Sequence, residues 1–508
     1  MKQHAGRLDR DRFSLFLVGI GLLAGIVLRF ATISDLWLDE ALSVNIARLP
    51  FGQMFEALRH DGHPPLYYVL LHGWMELFGE GDRAVRAMSG VIGLASLPLA
   101  WVAGRRYGGG SVALSTVALL ASSPFAARYA TETRMYSLLT FGALAGWLAV
   151  QRALERRTAL RLVMVTAVAG MLLLSHYWAF YFLAAVMVTL AWGAWRGRLS
   201  DDRNGALAVM GAIAAGGLLF VPWLPSFLEQ AANTGTPWAT PVRPGTMLVT
   251  TLTDFGGGPY GEAQLLGAVI GLLALLALVG RVLDRNRMEI DLRTLPESRP
   301  EWAVVAGTTT LAVIAGFASS SAFASRYAAI VLPLLLLLAA KGLDLLPRLG
   351  LQRLTLAGIV AVGLIAGVKT ARTERTQAGE IAAAVAAQAH VGDVVGFCPD
   401  QMGPAVSRLL PRTIKGVSYP DATSPQRVDW VDYAARMKVS DPGAFGRRLD
   451  RMAGSGAVWL VWSGDYRSVE GKCEAVVQQL QQLRPAARMV VPLGTLFEHG
   501  QLWLFEAP

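Results

Sequence analysis

Apolar positions along this chain fall into long blocks, not into the one-sided spacing of a surface helix. The first block runs from Phe13 to Ile33. Others follow at 84–104, 111–127, 135–151, 161–175, 178–195, 205–224, 263–281, 302–318, 328–346 and 353–370. Each approaches the roughly 20 residues that a helix needs to cross a bilayer. The pattern predicts a polytopic α-helical membrane protein of about eleven spans. Residues 34–83 are too long for a turn between the first two spans. They hold "FGQMFEALRH" and "PPLYYVLLHGWMELFG", which read as amphipathic helices lying along the membrane interface. The stretch from about Pro225 to Glu262 ("NTGTPWATPVRPG", "DFGGGPYG") is rich in Gly, Pro and Thr and reads as a mobile loop.

The pattern changes after residue 370. "GDVVGFCPDQMGPAVSRLLP" reads as strand, turn and helix, "GAVWLVWSG" as a buried strand, and "CEAVVQQLQQL" as a helix. "ARMVVPLG" and "GQLWLFEAP" read as further strands. The expected organisation is therefore a membrane domain over 1–370 and a small α/β domain over 371–508.

Composition agrees with the blocks: 53% of the 508 residues are hydrophobic and 16% are charged, too few charges for a soluble chain of this size. The net charge of +9 does not point to nucleic acid, because the basic residues sit in short loops between spans. Loops on the N-terminal side include "MKQHAGRLDRDR", "GRRYGG", "QRALERRTALR" and "RVLDRNRMEIDLR", and the opposite loops hold far fewer Lys and Arg. By the positive-inside rule the N-terminus is cytoplasmic. An odd number of spans then places 371–508 outside the cytoplasmic membrane. The first block lacks a small-residue cleavage site and is not read as a signal peptide. Of the two cysteines, Cys398 and Cys473, neither has a metal-binding spacing. On the oxidising side they are expected to pair.

Ionisable residues collect at the outer face. "LWLDEALS" puts Asp39 and Glu40 where the first block ends. The plain reading is a helix N-terminus, where acidic residues are common. The same loop brings His60, Asp61 and His63 in "HDGHPPLYY". "ARYATETRMYSLL" places Arg128, Tyr129, Glu132, Arg134 and Tyr136 between two spans, and "FASRYAAIVLPLL" places Arg326 and Tyr327 at another outer end. Arginines there run against the positive-inside rule and need an anionic partner. A guanidinium fork suits phosphate, and an aromatic belt with snorkelling arginines is the plain alternative.

Four blocks, "LWLDEALS", "HPPLYYVLLHGWMELFGEGDRAVRAMSGVIG", "ARYATETRMYSLLTF" and "SRYAAIVLPLLLLLAA", resemble in order and spacing the GT-C fold glycosyltransferases. In particular they resemble bacterial members of glycosyltransferase family 39, relatives of protein O-mannosyltransferase and of the lipid A aminoarabinose transferase. The resemblance covers about residues 13–345. It implies an inverting transfer from a polyprenyl-phosphate sugar to an acceptor glycan, glycolipid or protein at the outer membrane face. It assigns Asp39 as general base, with Glu40 supporting it by hydrogen bonding or acceptor binding. The donor phosphate falls to Arg134, Tyr136, His63, Arg326 and Tyr327. Asp39, Glu40 and His63 could hold a divalent cation, but the resemblance implies none, and no cofactor is expected. The competing readings are a transporter or flippase of a lipid-linked sugar and a wall-polymer ligase. A transporter would place its charges near the midplane, and a ligase would keep its key residues in a late loop.

Overall fold

The computed structural model describes residues 8–196, 203–234, 242–259, 261–284, 286–319, 323–464 and 466–507. Most of the "NTGTPWATPVRPG" stretch, read above as mobile, lies outside the described residues.

The membrane part opens with α1 (Arg12–Leu28), followed by three shorter helices, α2 (Leu38–Ala47), α3 (Phe51–Asp61) and α4 (Leu66–Phe78). Then come α5 (Asp82–Gly108), α6 (Gly110–Ala121), α7 (Pro124–Ala130), α8 (Tyr136–Glu155), α9 (Ala159–Leu173), α10 (Trp178–Trp195) and α11 (Arg203–Leu218). α12 (Leu224–Asn233) and α13 (Pro244–Phe255) precede α14 (Gly261–Val279), a short hairpin of β1 (Gly280–Val282) and β2 (Met288–Ile290), and α15 (Arg299–Ala318). α16 (Leu332–Asp344) and α17 (Leu349–Ala371) complete this part.

Every apolar block of the sequence carries one of these helices. Among the described residues seven helices are long and apolar enough to cross a membrane, or eight if the bent pair α6–α7 is one span. α1 and α9 are apolar but shorter, so the expected eleven crossings are not all carried by full-length helices. α3 and α4 are the two amphipathic segments read from the first outer loop.

The 55° bend between α6 and α7 has a local cause. Pro124 begins α7 and the Ser123 side chain caps it, so the chain restarts a helix instead of continuing one. The carbonyls left open at the end of α6 are met by Arg29, which is 1% exposed. Its guanidinium donates to Leu120 O at 2.8 Å, Ala121 O at 3.0 Å and Gly25 O at 2.8 Å. A buried arginine thus satisfies what the broken helix cannot. The bend sets the position of the loop 131–135, which carries Glu132 and Arg134.

Beyond Ala371 the chain forms α18 (Ala378–Gln388), β3 (Val394–Cys398), α19 (Gly403–Leu409), β4 (Lys415–Ser418), α20 (Tyr433–Val439), α21 (Pro442–Ala453), β5 (Val458–Trp462), α22 (Lys472–Leu483), β6 (Ala487–Val491) and β7 (Gln501–Phe505). The sheet order is β4-β3-β5-β7-β6. β3 runs parallel to β4 and to β5, with Val394 beside Lys415 and Val458. β7 runs antiparallel to β5 and β6. The central strands β3 and β5 are almost wholly buried, as expected for strands covered on both faces. Cys398 at the end of β3 is joined to Cys473 at the start of α22, with Cα atoms 5.6 Å apart. The domain rests on the outer loops: Asn45 donates to Gln426 O at 2.7 Å, Arg408 pairs with Asp82 at 3.1 Å, and the Trp430 N–H donates to His60 O at 3.0 Å.

Candidate functional site

The ends of several helices converge on the first turn of α2. Trp37, in the N-cap position, offers no side-chain cap. A carboxylate from the C-terminal domain takes that role: Leu38 N–H donates to Glu498 Oε2 at 3.2 Å. Asp39 and Glu40 follow in the same turn, at the positive end of the helix dipole.

The two neighbours have different environments. Glu40 is 0% exposed. Arg86, from the first turns of α5, holds it with two parallel bonds, Nε to Oε1 at 2.7 Å and Nη2 to Oε2 at 2.6 Å. Thr133 N–H adds a bond to Oε1 at 2.9 Å, and Arg375 stands 4.0 Å from Oε2. The remaining Arg86 hydrogens reach the carbonyls of Ser34 and Asp35. Glu40 is therefore bound up in a closed internal network. This geometry fits support by hydrogen bonding and leaves no oxygen for an acceptor.

Asp39 keeps 17% of its side chain exposed, with Oδ2 at 3.4 Å from Arg326 and 4.0 Å from Arg134. The structure thus brings these two arginines, nearly 200 positions apart in the chain, to one carboxylate oxygen. Behind Asp39, Arg134 donates to Ser43 Oγ at 3.1 Å, Tyr68 OH at 3.3 Å and His63 Nε2 at 2.8 Å. Because Nε2 accepts, the ring proton of His63 lies on Nδ1 and donates to Asp61 Oδ2 at 2.9 Å. Tyr68 OH donates to the same oxygen at 2.8 Å. Gly62, at φ 87°, makes the left-handed turn that ends α3 and aims His63 inward. Burial would raise the Asp61 carboxyl, but His63, Arg134 and Tyr68 outweigh it and hold it below its usual range.

A second acidic group lies beside this one. Glu132 is 0% exposed. Arg128 approaches it at 3.2 Å and Arg375 at 3.9 Å, yet neither of its oxygens has a hydrogen-bond partner among the described residues. Burial pushes its pKa up to about 7, with Arg128 opposing and Glu40 adding to the rise. Arg134 Nε, Arg326 Nε and Tyr136 OH are buried donors that also lack partners there. Of these, Arg326 lines an opening, and unpaired buried donors are what an anionic ligand would satisfy. Tyr327 lies below the Arg326 guanidinium, 5.8 Å from ring centre to Cζ. It packs at 5.1 Å on His176, whose pKa burial depresses well below the usual value, with His63 and Arg134 adding to the effect.

Two cavities open at Arg326. One, of about 360 Å³, is lined by Arg128, Glu132, Asp254, Ser325 and Arg326. The other, of about 280 Å³, lies between Asp39 and Arg326 and the C-terminal domain. A third hollow, apolar and about 1160 Å³, runs along α10 from Phe182 to Gly193 against α8, α9 and α15. Among the described residues no three His, Cys, Asp or Glu side chains converge as a metal site. Glu40 and both ring nitrogens of His63 have protein partners already.

Sequence reasoning missed Arg86, Arg375, His176 and Glu498. Arg86 lies near the start of α5 and Arg375 just beyond α17, so the rule that singled out Arg134 could have found them. His176, in a short polar break between two apolar blocks, offered a weaker signal. Glu498 offered none, since it depends on how the C-terminal domain docks.

Comparison with known proteins bears on the fold. Residues 62–225 match the family described as dolichyl-phosphate-mannose-protein mannosyltransferase. No curated protein is similar enough in sequence to count as a match. ArnT from Cupriavidus metallidurans in the apo state is 14% identical, with a TM-score of 0.57 over 97% of this chain and 98% of that one. The same protein bound to undecaprenyl phosphate is 16% identical, with a TM-score of 0.58 over 96% and 97%. The Archaeoglobus fulgidus oligosaccharyltransferase in complex with Zn and sulfate is 12% identical, with a TM-score of 0.54 over 96% of this chain and 72% of that one. The chain has the GT-C fold, with a C-terminal sheet domain.

Proposed function

We propose that this chain is a membrane glycosyltransferase that moves a sugar from a polyprenyl-phosphate donor to an acceptor at the outer face of the cytoplasmic membrane, with inversion. The observation that carries the reading is Asp39. It is a carboxylate in the first turn of α2, open to a cavity, with two guanidinium groups within 4.0 Å of one of its oxygens. An acceptor hydroxyl loses its proton to Asp39 while its oxygen attacks the anomeric carbon. The bond from that carbon to the phosphate oxygen breaks, and its electron pair leaves with the polyprenyl phosphate. A single displacement inverts the centre and needs one base, unlike the carboxylate pair of a retaining hydrolase.

Arg326 is the hinge of this scheme because it lines both polar cavities. An arriving phosphate draws it away from Asp39, which frees the base and meets the charge that grows on the leaving group. Arg128 lines the same cavity, and Tyr136 and Arg134 add their unpaired donors. His63 acts through Arg134, and Tyr327 supports Arg326 from below. No step is assigned to a metal, because the arginines supply the positive charge. The hollow along α10 suits an isoprenoid tail where its lining is apolar, and Gln151, Glu297, Arg299 and Glu301 also line it. ArnT, which this chain resembles along its length, is known bound to undecaprenyl phosphate. The Lys and Arg bias and the disulfide support placing the C-terminal domain outside.

The test offers purified protein in nanodiscs a panel of polyprenyl-phosphate mannose, galactose, arabinose and aminoarabinose and follows release of lipid phosphate. Asp39→Asn keeps size and polarity but cannot take a proton. Turnover should fall by about 10²- to 10⁴-fold, with undecaprenyl phosphate binding near normal. Near-wild-type turnover by Asp39→Asn would remove the base from this scheme. A wild type that consumes none of the panel would remove the donor class.

A further inference from the structure

The cavity between Asp39 and the C-terminal domain is not explained by the donor. Asp39 and Arg326 form one wall. Trp430, Tyr466, Gln401 and Glu498 of the C-terminal domain form much of the other. Glu498 is 5% exposed. Its Oε2 caps α2 through Leu38 N–H, while its Oε1 is buried and has no hydrogen-bond partner among the described residues. Leaving a buried polar atom unpaired is costly; Thr376 is the side chain that faces this carboxyl, and a ligand hydroxyl would supply the missing partner. The Glu498 backbone is fixed from both sides, donating to Arg375 O at 2.8 Å and accepting from Gln377 N–H at 3.1 Å.

We propose that this cavity is the acceptor seat and that the acceptor is a saccharide, one ring of which stacks on Trp430 and Tyr466 while Glu498 Oε1 orients a hydroxyl beside Asp39. The proposal rests on the transferase reading and deepens it. Three features select a sugar. The volume, about 280 Å³, lies near the lower end of the roughly 300–1,000 Å³ of small-molecule sites, which suits one ring and not an extended chain. Aromatic walls meet the C–H faces of a sugar, and a carboxyl and an amide meet its hydroxyls. A peptide in an extended form would need a strand edge or a row of backbone partners, and none of the lining residues belongs to β3–β7. Burial pushes the Glu498 carboxyl up to about 8, so near neutral pH it holds a proton and donates a hydrogen bond, while Asp39 is free to accept one. Two carboxyl groups at one opening thus take opposite roles.

The experiment uses the full chain in nanodiscs with an accepted donor and compares methyl glycosides with a Ser/Thr peptide as acceptors. The expected result is saturable transfer to glycosides. Trp430→Ala should raise the acceptor KM by about 3- to 10-fold, the value of one aromatic contact, with the donor KM unchanged. Glu498→Ala should do the same, and Glu498→Gln, which keeps a donor, should recover most of the loss. A merely structural Glu498 would lower kcat or yield without moving the acceptor KM. Unchanged acceptor KM in both alanine variants, or transfer to the peptide alone, overturns the proposal. If wild-type protein consumes no donor, the transferase reading has failed, and saturation-transfer NMR with the same methyl glycosides decides the seat separately. Signals present with wild type and lost in Trp430→Ala uphold a sugar site, and their absence from wild type ends it.

Discussion

Replacing Glu40 by Gln tests how the two adjacent carboxylates divide their work. Glu40 accepts three hydrogen bonds: two from Arg86 and one from Thr133 N–H. A glutamine has the same shape but only one acceptor oxygen. If its amide nitrogen replaces Oε2, it faces Arg86 Nη2, donor against donor. If it replaces Oε1, it faces both Arg86 Nε and Thr133 N–H. In either case a guanidinium whose side chain is 8% exposed loses its counter-charge. Removing one partner of a buried ion pair costs about 3–5 kcal/mol. Arg86 keeps the carbonyls of Ser34 and Asp35, which places the expected cost near the lower figure, about 3 kcal/mol. That corresponds to roughly 100-fold in the folding equilibrium, a large part of the ordinary margin of a folded domain.

The assay pairs tryptophan-monitored unfolding in detergent with lipid-phosphate release per folded molecule. Glu40→Gln should unfold several degrees below wild type, and its surviving folded fraction should retain much of its turnover. Asp39→Asn should show the reverse, with near-normal unfolding and lost turnover. Glu40→Leu combined with Arg86→Met should cost less than the two single changes added together, because no isolated charge remains. A Glu40→Gln protein that unfolds with wild type yet loses turnover by 100-fold or more would refute this division and return Glu40 to the chemistry.

Two further predictions concern the arginines and pH. Arg326→Lys keeps the charge but loses the fork, so donor KM should rise several-fold, and Arg326→Ala should raise it further. Arg134→Ala should raise donor KM and also lower kcat and stability, because it strips partners from His63 and Tyr68, and an effect of this change confined to donor KM would argue against the second role. Among the carboxyl groups that burial raises, Glu132 goes to about 7, Asp400 to about 7 and Glu498 to about 8. Between their unfolded values near 4 and these folded values the native state binds more protons than the unfolded one, so stability falls as pH rises. The unfolding midpoint should therefore drop from about pH 5 to pH 8, and Glu498→Gln should flatten the upper part of that slope, whereas a midpoint that rises across this window would contradict these protonation states.

The membrane architecture was legible because bilayer thickness imposes a length on apolar blocks, and each block did become a helix. Pro124 marks the bend between α6 and α7 locally, but its satisfaction by Arg29, which reaches carbonyls more than 90 positions away, was not legible. In the C-terminal domain β3 and β5 were legible because buried strands read as continuous apolar runs, and the stretches that became β6 and β7 were read from their apolar, β-branched and aromatic residues. β4, only "KGVS", was too short and mixed to show. At the site, Asp39, Arg134 and Arg326 could be singled out as charges in places where charges are expensive. Their meeting at one oxygen could not, because nothing in local spacing relates position 39 to position 326.

The adjacency of Asp39 and Glu40 then has a geometric explanation. Successive residues of an α-helix are turned by about 100°, so neighbouring carboxylates cannot share a face. In a short helix lodged between a packed interior and an opening, turning one outward drives the other inward. An inward carboxylate is tolerated only if it is fully paired, and Arg86 and Thr133 do this for Glu40. The pairing fixes the rotation of the first turn, and Glu498 fixes its start from the other side. Asp39 is then held at the opening without a large share of its own bonds being spent on holding it there. Its remaining contacts are two arginines that an incoming phosphate can draw away. That arrangement positions a base firmly while leaving its lone pairs available, which a single acidic residue at this helix end would not achieve.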